Sequence, residues 1–249
     1  MNPLYNVNGL VFWSEEEIKL RDMFRDYFTD RIRDFLLGEN TAWRFVQVEA
    51  PLLTPRSLIN TNYTNEDVWV QENGETLEEL VLRPETTPGS YAYAQYLLNS
   101  HQGFKPPLVV WQAGKSFRRE TEQPYKHMRL KEFYQQEFQC IYTVDTMNDY
   151  HSACLEPVRK MIAAMVHLPT RIVDSDRLPS YSQVTKDVEI DNGDKWMEVC
   201  SISRRTDFPQ KARFPGKGGT IIEKDILVLE IAIGLDRIVY NWNEISKKL

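Results

Sequence analysis

The sequence predicts an α+β protein in which an antiparallel sheet is flanked by helices. Strand-like runs outnumber helical ones along the 249 residues, several adjoin as hairpins, and strands and helices do not alternate regularly. The composition, 42% apolar and 27% charged, suits a chain that buries a sizeable core rather than a disordered, collagen-like or coiled-coil one. At about 150 residues per domain, this length permits one large domain or two small ones.

The elements follow in order. Ser14 ahead of Glu15, Glu16 and Glu17 reads as a helix start, with a capping side chain and acids where the helix dipole favours them. Leu20, Phe24, Tyr27, Phe28, Ile32, Phe35 and Leu36 recur at helical spacing, and Gly38 supplies a stop. From Phe45 to Leu53 the pattern alternates like a strand, and Pro51 confines it to an edge, a bulge or a strand end. Further strands are predicted over 81–83, 108–112, 116–120, 133–142, 196–202 and 226–233. Helices are predicted over 89–98, over about 148–166 with Pro157 inside, and from Leu235 onward.

With 30 basic and 36 acidic side chains the net charge is -6, so any nucleic-acid contact must come from a local basic patch. Cys140, Cys154 and Cys200 form no CxxC pair and are odd in number, which argues against a disulfide framework or zinc ribbon and for a reducing compartment. No apolar stretch approaches the ~20 residues that span a bilayer, and the N-terminus resembles neither a signal nor a transit peptide. A cytoplasmic protein without membrane contact is expected.

Chemistry is suggested where polar residues occupy the wrong face. In the strand 133–142, Gln135, Glu137 and Gln139 share one face while Phe138, Cys140 and Tyr142 share the other. By itself this is equally an edge strand with a solvated face. Upstream, Arg118 and Glu120 fall on one face of a neighbouring strand, joined to the first by a hairpin loop at 121–127; such a row grips an anion or forms a salt-bridge ladder. At Gly234-Leu235-Asp236-Arg237 a strand runs into a helix whose start can receive a phosphate, though an ordinary turn with an exposed arginine reads the same. The four histidines show no metal-binding spacing, and His127 lies in the 121–127 loop. The glycine-rich stretch 209–219 reads as a solvated hairpin loop that could meet phosphate.

Taken in order, these segments resemble the three signature motifs of class II aminoacyl-tRNA synthetases, and within that class the glycyl-tRNA synthetases. The first helix with the Pro51 strand is similar to motif 1. Gly114-Lys115-Ser116-Phe117-Arg118-x-Glu120, then Arg129-x-x-x-Phe133 and Gln135-x-Glu137, is similar to motif 2 in its glycyl version. Gly234-Leu235-Asp236-Arg237 matches the end of motif 3. Leu82-Arg83-Pro84-Glu85-Thr86 resembles the substrate loop of the glycyl enzymes, and Trp196-x-Glu198 with Arg205-Thr206-Asp207 resembles another of their segments.

The resemblance implies a six- to seven-stranded antiparallel sheet with flanking helices, formed by residues 1–249 as one catalytic domain that binds ATP. Arg118 would hold the α-phosphate and the substrate carboxyl, and Arg129 the outer phosphates. Phe133 and Arg237 would sandwich the adenine, with Glu120 near the adenine or the tRNA end. Glu85, Glu137 and Glu230 match the positions that bind the amino group of a small amino acid. Glu223 and Glu230 resemble an acidic pair for Mg2+, and their odd spacing implies a turn near Lys224-Asp225. No zinc is expected, because the loop position that would supply a ligand reads Glu85.

Ala232 and Ser201 stand where the glycyl enzymes carry serine and glycine, which weakens glycine as the substrate. Only 12 residues follow Arg237, so no anticodon-binding domain is expected and tRNA should bind weakly, at its acceptor end. Motif 1 implies a homodimer. The leading expectation is ATP-dependent formation of an aminoacyl-adenylate with transfer to tRNA. The alternatives are a ligase for a carrier protein or other acceptor, and a non-enzymatic, synthetase-like regulatory or accessory protein.

Overall fold

The structure is a computed structural model that describes residues 5–7, 10–71, 79–100, 103–120, 128–144, 149–176, 178–193, 195–215, 218 and 220–246. A short hairpin, β1 (Tyr5–Val7) and β2 (Leu10–Phe12), leads into helix α1 (Glu15–Glu39). The helix opens with a reciprocal capping box: Glu17 N–H donates to Ser14 Oγ, and Ser14 N–H to the Glu17 carboxylate at 2.7 Å. Gly38 does not stop it; the chain leaves helical geometry at Asn40.

The predicted strand through Pro51 is parted. Its first half is β3 (Arg44–Gln47), at the edge of the main sheet; its second is β4 (Leu53–Pro55), in a small sheet with β5 (Trp69–Val70) and β6 (Leu80–Leu82). Helix α2 (Thr87–Asn99) follows, then the hairpin of β7 (Leu108–Phe117) and β8 (Glu132–Thr143), and α3 (Tyr150–Val166) with Pro157 inside. The two strands predicted at 108–112 and 116–120 are one. Gly114, between the two, is the point where Arg83 packs against the strand: a Cβ there would lie 2.5 Å from Arg83 Nη2. Strands β9 (Thr170–Asp174), β10 (Ser182–Asp191), β11 (Trp196–Arg205), β12 (Lys211–Pro215) and β13 (Ile221–Gly234) precede α4 (Leu235–Ser246).

The main sheet runs β3-β7-β8-β13-β11-β10-β9, with β12 paired to the first half of β13. It is mostly antiparallel, as expected; the β3–β7 pair is parallel, which makes it mixed. One face is covered by α1, α3 and α4. There Phe138, Cys140 and Tyr142 of β8 meet Leu229, Ile231 and Ile233 of β13, Cys200 and Ile202 of β11, and Phe24, Phe28 and Ile32 of α1. Period-2 alternation then sends Gln135, Glu137 and Gln139, Glu230 and Ala232, Ser201, Ser203 and Arg205, and Thr185, Asp187 and Glu189 to the opposite face. Part of that face is covered by α2; the rest forms a cavity floor. Among the described residues, no helix is long and apolar enough to cross a membrane.

Candidate functional site

A cavity of about 640 Å³ stands over this polar face. Its walls are Arg118 and Glu120 just past β7, Arg129 ahead of β8 and Phe133 near its start, Tyr181 ahead of β10, and Asp236 and Arg237 from the first turn of α4. The edge-strand alternative for β8 fails, because β8 lies between β7 and β13 and Gln135, Glu137 and Gln139 are all buried. Buried polar groups need partners, and theirs define the site.

Glu137 accepts from Thr86 Oγ1 at 2.6 Å, Thr87 Oγ1 at 2.9 Å and Gln135 Nε2 at 2.7 Å, all neutral donors. Glu230 accepts from Gln139 Nε2 and Arg205 Nη1, each at 2.8 Å, and its carboxylate lies 2.9 Å from the same Thr87 hydroxyl, whose one proton it shares with Glu137. Glu85 accepts from Arg205 Nη2 and Tyr63 Oη, each at 3.2 Å. Arg205, with 1% of its side chain exposed, serves two of the three glutamates and also Asp207, at 2.6 Å, while lying 4.0 Å from the Tyr181 ring centroid. Burial first, then the neighbouring glutamates, pushes the Glu137 carboxyl up from its ordinary range. Burial and Glu85 raise Glu230 as well, against the pull of Arg205. The cluster is thus short of positive charge, and Glu137 is the acid without a guanidinium partner.

The loop carrying Glu85 and Thr86 is held by buried braces. Arg83 donates to Lys115 O, Ala50 O and Gln112 Oε1 at 2.8–3.1 Å, and Gln112 Nε2 donates to Thr86 O at 2.9 Å and Ser90 Oγ at 2.8 Å. Arg118 lies just past the end of β7 rather than within a strand. It donates to Pro84 O at 3.1 Å and Tyr63 Oη at 3.3 Å, and sits 5.1 Å from the Phe133 ring centroid. Burial opposes its charge, but Tyr63 and Glu85 outweigh that, and it remains a firm cation.

Arg118, Glu120, Arg129, Phe133 and Arg237 therefore line the same cavity as Glu85, Glu137 and Glu230. Glu223 does not. The turn expected near Lys224-Asp225 is absent, because β12 pairs with β13 through Lys211↔Asp225 and Arg213↔Glu223 and holds it as a continuous strand. Seven residues of strand separate Glu223 from Glu230 by about 23 Å and put them on opposite faces. Glu223 is spent on exposed pairs with Arg213 at 2.7 Å and Lys211 at 3.4 Å, so the Glu223–Glu230 metal pair is corrected.

A different acidic pair faces the cavity. Cross-strand pairing shifts between Val188 and Glu189, leaving Val199 as an extra residue on β11. This bulge turns Glu198 onto the face of Asp187 and Glu189. Asp187 is 94% buried by its 6% exposure, and its Oδ1 lacks a hydrogen-bond partner. Burial first and then Glu198 push its carboxyl up to about 6. A buried carboxylate oxygen without a hydrogen bond beside a second carboxylate suits a hard cation, which would compete with Arg237 for Glu198, whose Oε1 lies 3.6 Å from Arg237 Nη1. Of the stretch 209–219, residues 211–215 form β12 instead of a loop; 216, 217 and 219, like His127 and the rest of the 121–127 loop, lie outside the described residues.

A family profile for the class II core domain of tRNA synthetases (G, H, P, S and T) matches residues 63–245. The chain belongs to that family. This class II core is 27% identical over 175 residues to a glycine–tRNA ligase of Mycoplasmopsis synoviae, covering 64% of the chain and 38% of the relative. It is 31% identical over 134 residues to that of Cutibacterium acnes, covering 51% and 28%. The chain thus spans well under half the length of these relatives. Its fold also matches a prolyl-tRNA synthetase from Cryptosporidium parvum crystallised with halofuginone and AMPPNP, at a TM-score of 0.74 and 14% identity over 97% of this chain and 49% of that one.

Tyr63, Asp187 and Asp236 of this class II core were not singled out from sequence, and Arg205 and Glu198 entered only through a segment likeness. The Asp187-x-Glu189 alternation was a usable signal. The bulge that re-aims Glu198 had none.

Proposed function

We propose that this class II core activates a small amino acid, glycine-like in size, with ATP to form an aminoacyl-adenylate, and passes the aminoacyl group to the acceptor end of a tRNA. The observation that carries the reading is that one cavity is lined both by Arg118, Arg129, Phe133 and Arg237 and by the cation-deficient glutamates. In this reading the nucleotide lies against the first set and the amino acid against the second.

In this reading the amino acid carboxylate attacks the α-phosphorus of ATP in line, forming the acyl–phosphate bond as the bond to the bridging oxygen breaks and pyrophosphate leaves. No protein nucleophile takes part; the work is positioning and charge neutralisation. Arg118 bridges the substrate carboxylate and the α-phosphate, fixed by Pro84 O and Tyr63. Arg129, exposed at the mouth, meets the outer phosphates. Phe133 and Arg237 hold the adenine between a ring and a guanidinium. The substrate ammonium goes to Glu137, because Arg205 already occupies Glu85 and Glu230. Mg2+ would be held by Asp187 and Glu198 together with phosphate oxygens and would neutralise charge on the leaving pyrophosphate. A homodimer through the motif 1 region accompanies this reading.

ATP–pyrophosphate exchange with each of the twenty amino acids is the test. The expected result is exchange with one small amino acid, and label appearing on RNA once tRNA is added. Silence with all twenty, with or without tRNA, rejects the proposal; label on protein alone rejects tRNA as the acceptor.

A further inference from the structure

We infer that Asp236 is a positioning residue that, backed by Arg21, sets the spacing between Phe133 and Arg237, the two jaws of the nucleotide end. The inference rests on the ATP reading above but concerns residues which that reading leaves without a role.

The backbone ladder between β8 and β13 ends at Gln135↔Gly234, because the chain turns into α4 at Leu235. The next β8 residue outward, Tyr134, has lost its strand partner on that side. Its N–H donates instead to Asp236 Oδ2 at 2.7 Å, across 102 positions of sequence. Tyr134 is bonded to Phe133, and Asp236 to Arg237. One hydrogen bond therefore ties the residue beside one jaw to the residue beside the other, and so fixes the backbone positions from which the Phe133 and Arg237 side chains project.

Arg21 of α1 supports both partners. Its guanidinium lies 4.0 Å from the Tyr134 ring centroid, and its Nη1 is 3.8 Å from Asp236 Oδ1. Asp236 is 3% exposed, and its Oδ1 makes no hydrogen bond. A neutral acceptor would satisfy the Tyr134 amide at lower desolvation cost. The charge instead engages Arg21 and ties α1 to the two motifs it packs behind. Burial pushes the Asp236 carboxyl up to about 7, against the Tyr134 N–H, Arg21 and Lys115, with Glu132 adding to the rise. Arg237 is itself held from its far side, donating to Glu198 O at 2.7 Å, so jaw spacing depends on β8, β11 and α4 together.

The test compares calorimetric binding of AMPPNP and of tripolyphosphate to the wild type, Asp236→Ala, Asp236→Asn and Arg21→Met. Jaw spacing governs the base and not the phosphates. Asp236→Ala is therefore expected to weaken AMPPNP at least tenfold while tripolyphosphate stays within twofold. Asp236→Asn, which keeps an acceptor for Tyr134 but loses the charge that engages Arg21, should weaken AMPPNP less than Asp236→Ala and about as much as Arg21→Met, three- to tenfold. AMPPNP affinity unchanged in Asp236→Ala, or equal loss of both ligands, overturns the inference while leaving the ATP reading intact. Should Asp236→Ala fail to fold, Arg21→Met decides by the same comparison. Wild-type protein that binds neither ligand rejects the ATP reading and this inference with it.

Discussion

Replacing Arg205 with methionine removes the cation from the centre of the acidic cluster while keeping most of its length. In the native structure this side chain, 1% exposed, bonds Glu230 at 2.8 Å, Glu85 at 3.2 Å and Asp207 at 2.6 Å. Removing one partner of a buried ion pair costs about 3–5 kcal/mol, because the remaining charges stay desolvated and uncompensated. For a chain of this size about 2–4 °C of Tm accompanies each kcal/mol, so a fall of roughly 6–20 °C is expected at pH 8. The loss should depend on pH in a definite direction. Glu230 already has a folded-state pKa above its unfolded one, and loss of Arg205 raises it further. The resulting penalty is absent below the unfolded value of about 4.3 and grows as pH rises through the folded value. Urea unfolding of both proteins at pH 5, 6.5 and 8 measures this. A loss under about 1 kcal/mol at pH 8, or one equal at all three values, would refute the claim that Arg205 compensates these carboxylates.

Glu137→Gln should abolish exchange activity yet stabilise the fold at pH 8: the folded pKa is raised, so the native carboxyl is destabilising above it and harmless below about 4.5, and the glutamine's advantage in chemical denaturation should widen across that window. Gly89→Ala should destabilise by about 1–3 kcal/mol in the same assay, since its Cβ would lie 2.2 Å from that of Ala50, where α2 meets the chain beside Pro51. Glu223→Gln should change exchange kinetics less than twofold, while Glu198→Gln should raise the Mg2+ concentration needed for half-maximal exchange; the opposite pattern would restore the metal role to Glu223.

Local signals carried much of the fold. Ser14 through Glu17 marked the α1 start because the capping box is complete within four residues, and β8 alternated cleanly because one face meets aromatic core and the other meets charge. What failed was nonlocal. The continuity of β7 across Gly114 was missed, and the arginine that packs where its side chain would be lies 31 positions away. The length of β13 depends on pairing with β12, so the odd spacing of Glu223 and Glu230, taken as a pair, suggested a turn that is not there. At the site, Arg118, Phe133, Glu137 and Arg237 were legible through motif spacing. Tyr63 was not, since its contacts with Arg118 and Glu85 arise from a loop without periodicity. The same holds for Asp187 and Glu198, whose shared face depends on the bulge at Val199.

The central claim is that one cavity holds both halves of an aminoacyl-adenylate, and calorimetric binding of a stable glycyl sulfamoyl-adenosine analogue tests it most directly. An analogue that joins both halves should bind at least about a hundredfold more tightly than AMPPNP or glycine alone. Arg118→Ala, at the junction, should erase most of that gain. An analogue bound no better than AMPPNP, or equally well by Arg118→Ala, would contradict the account.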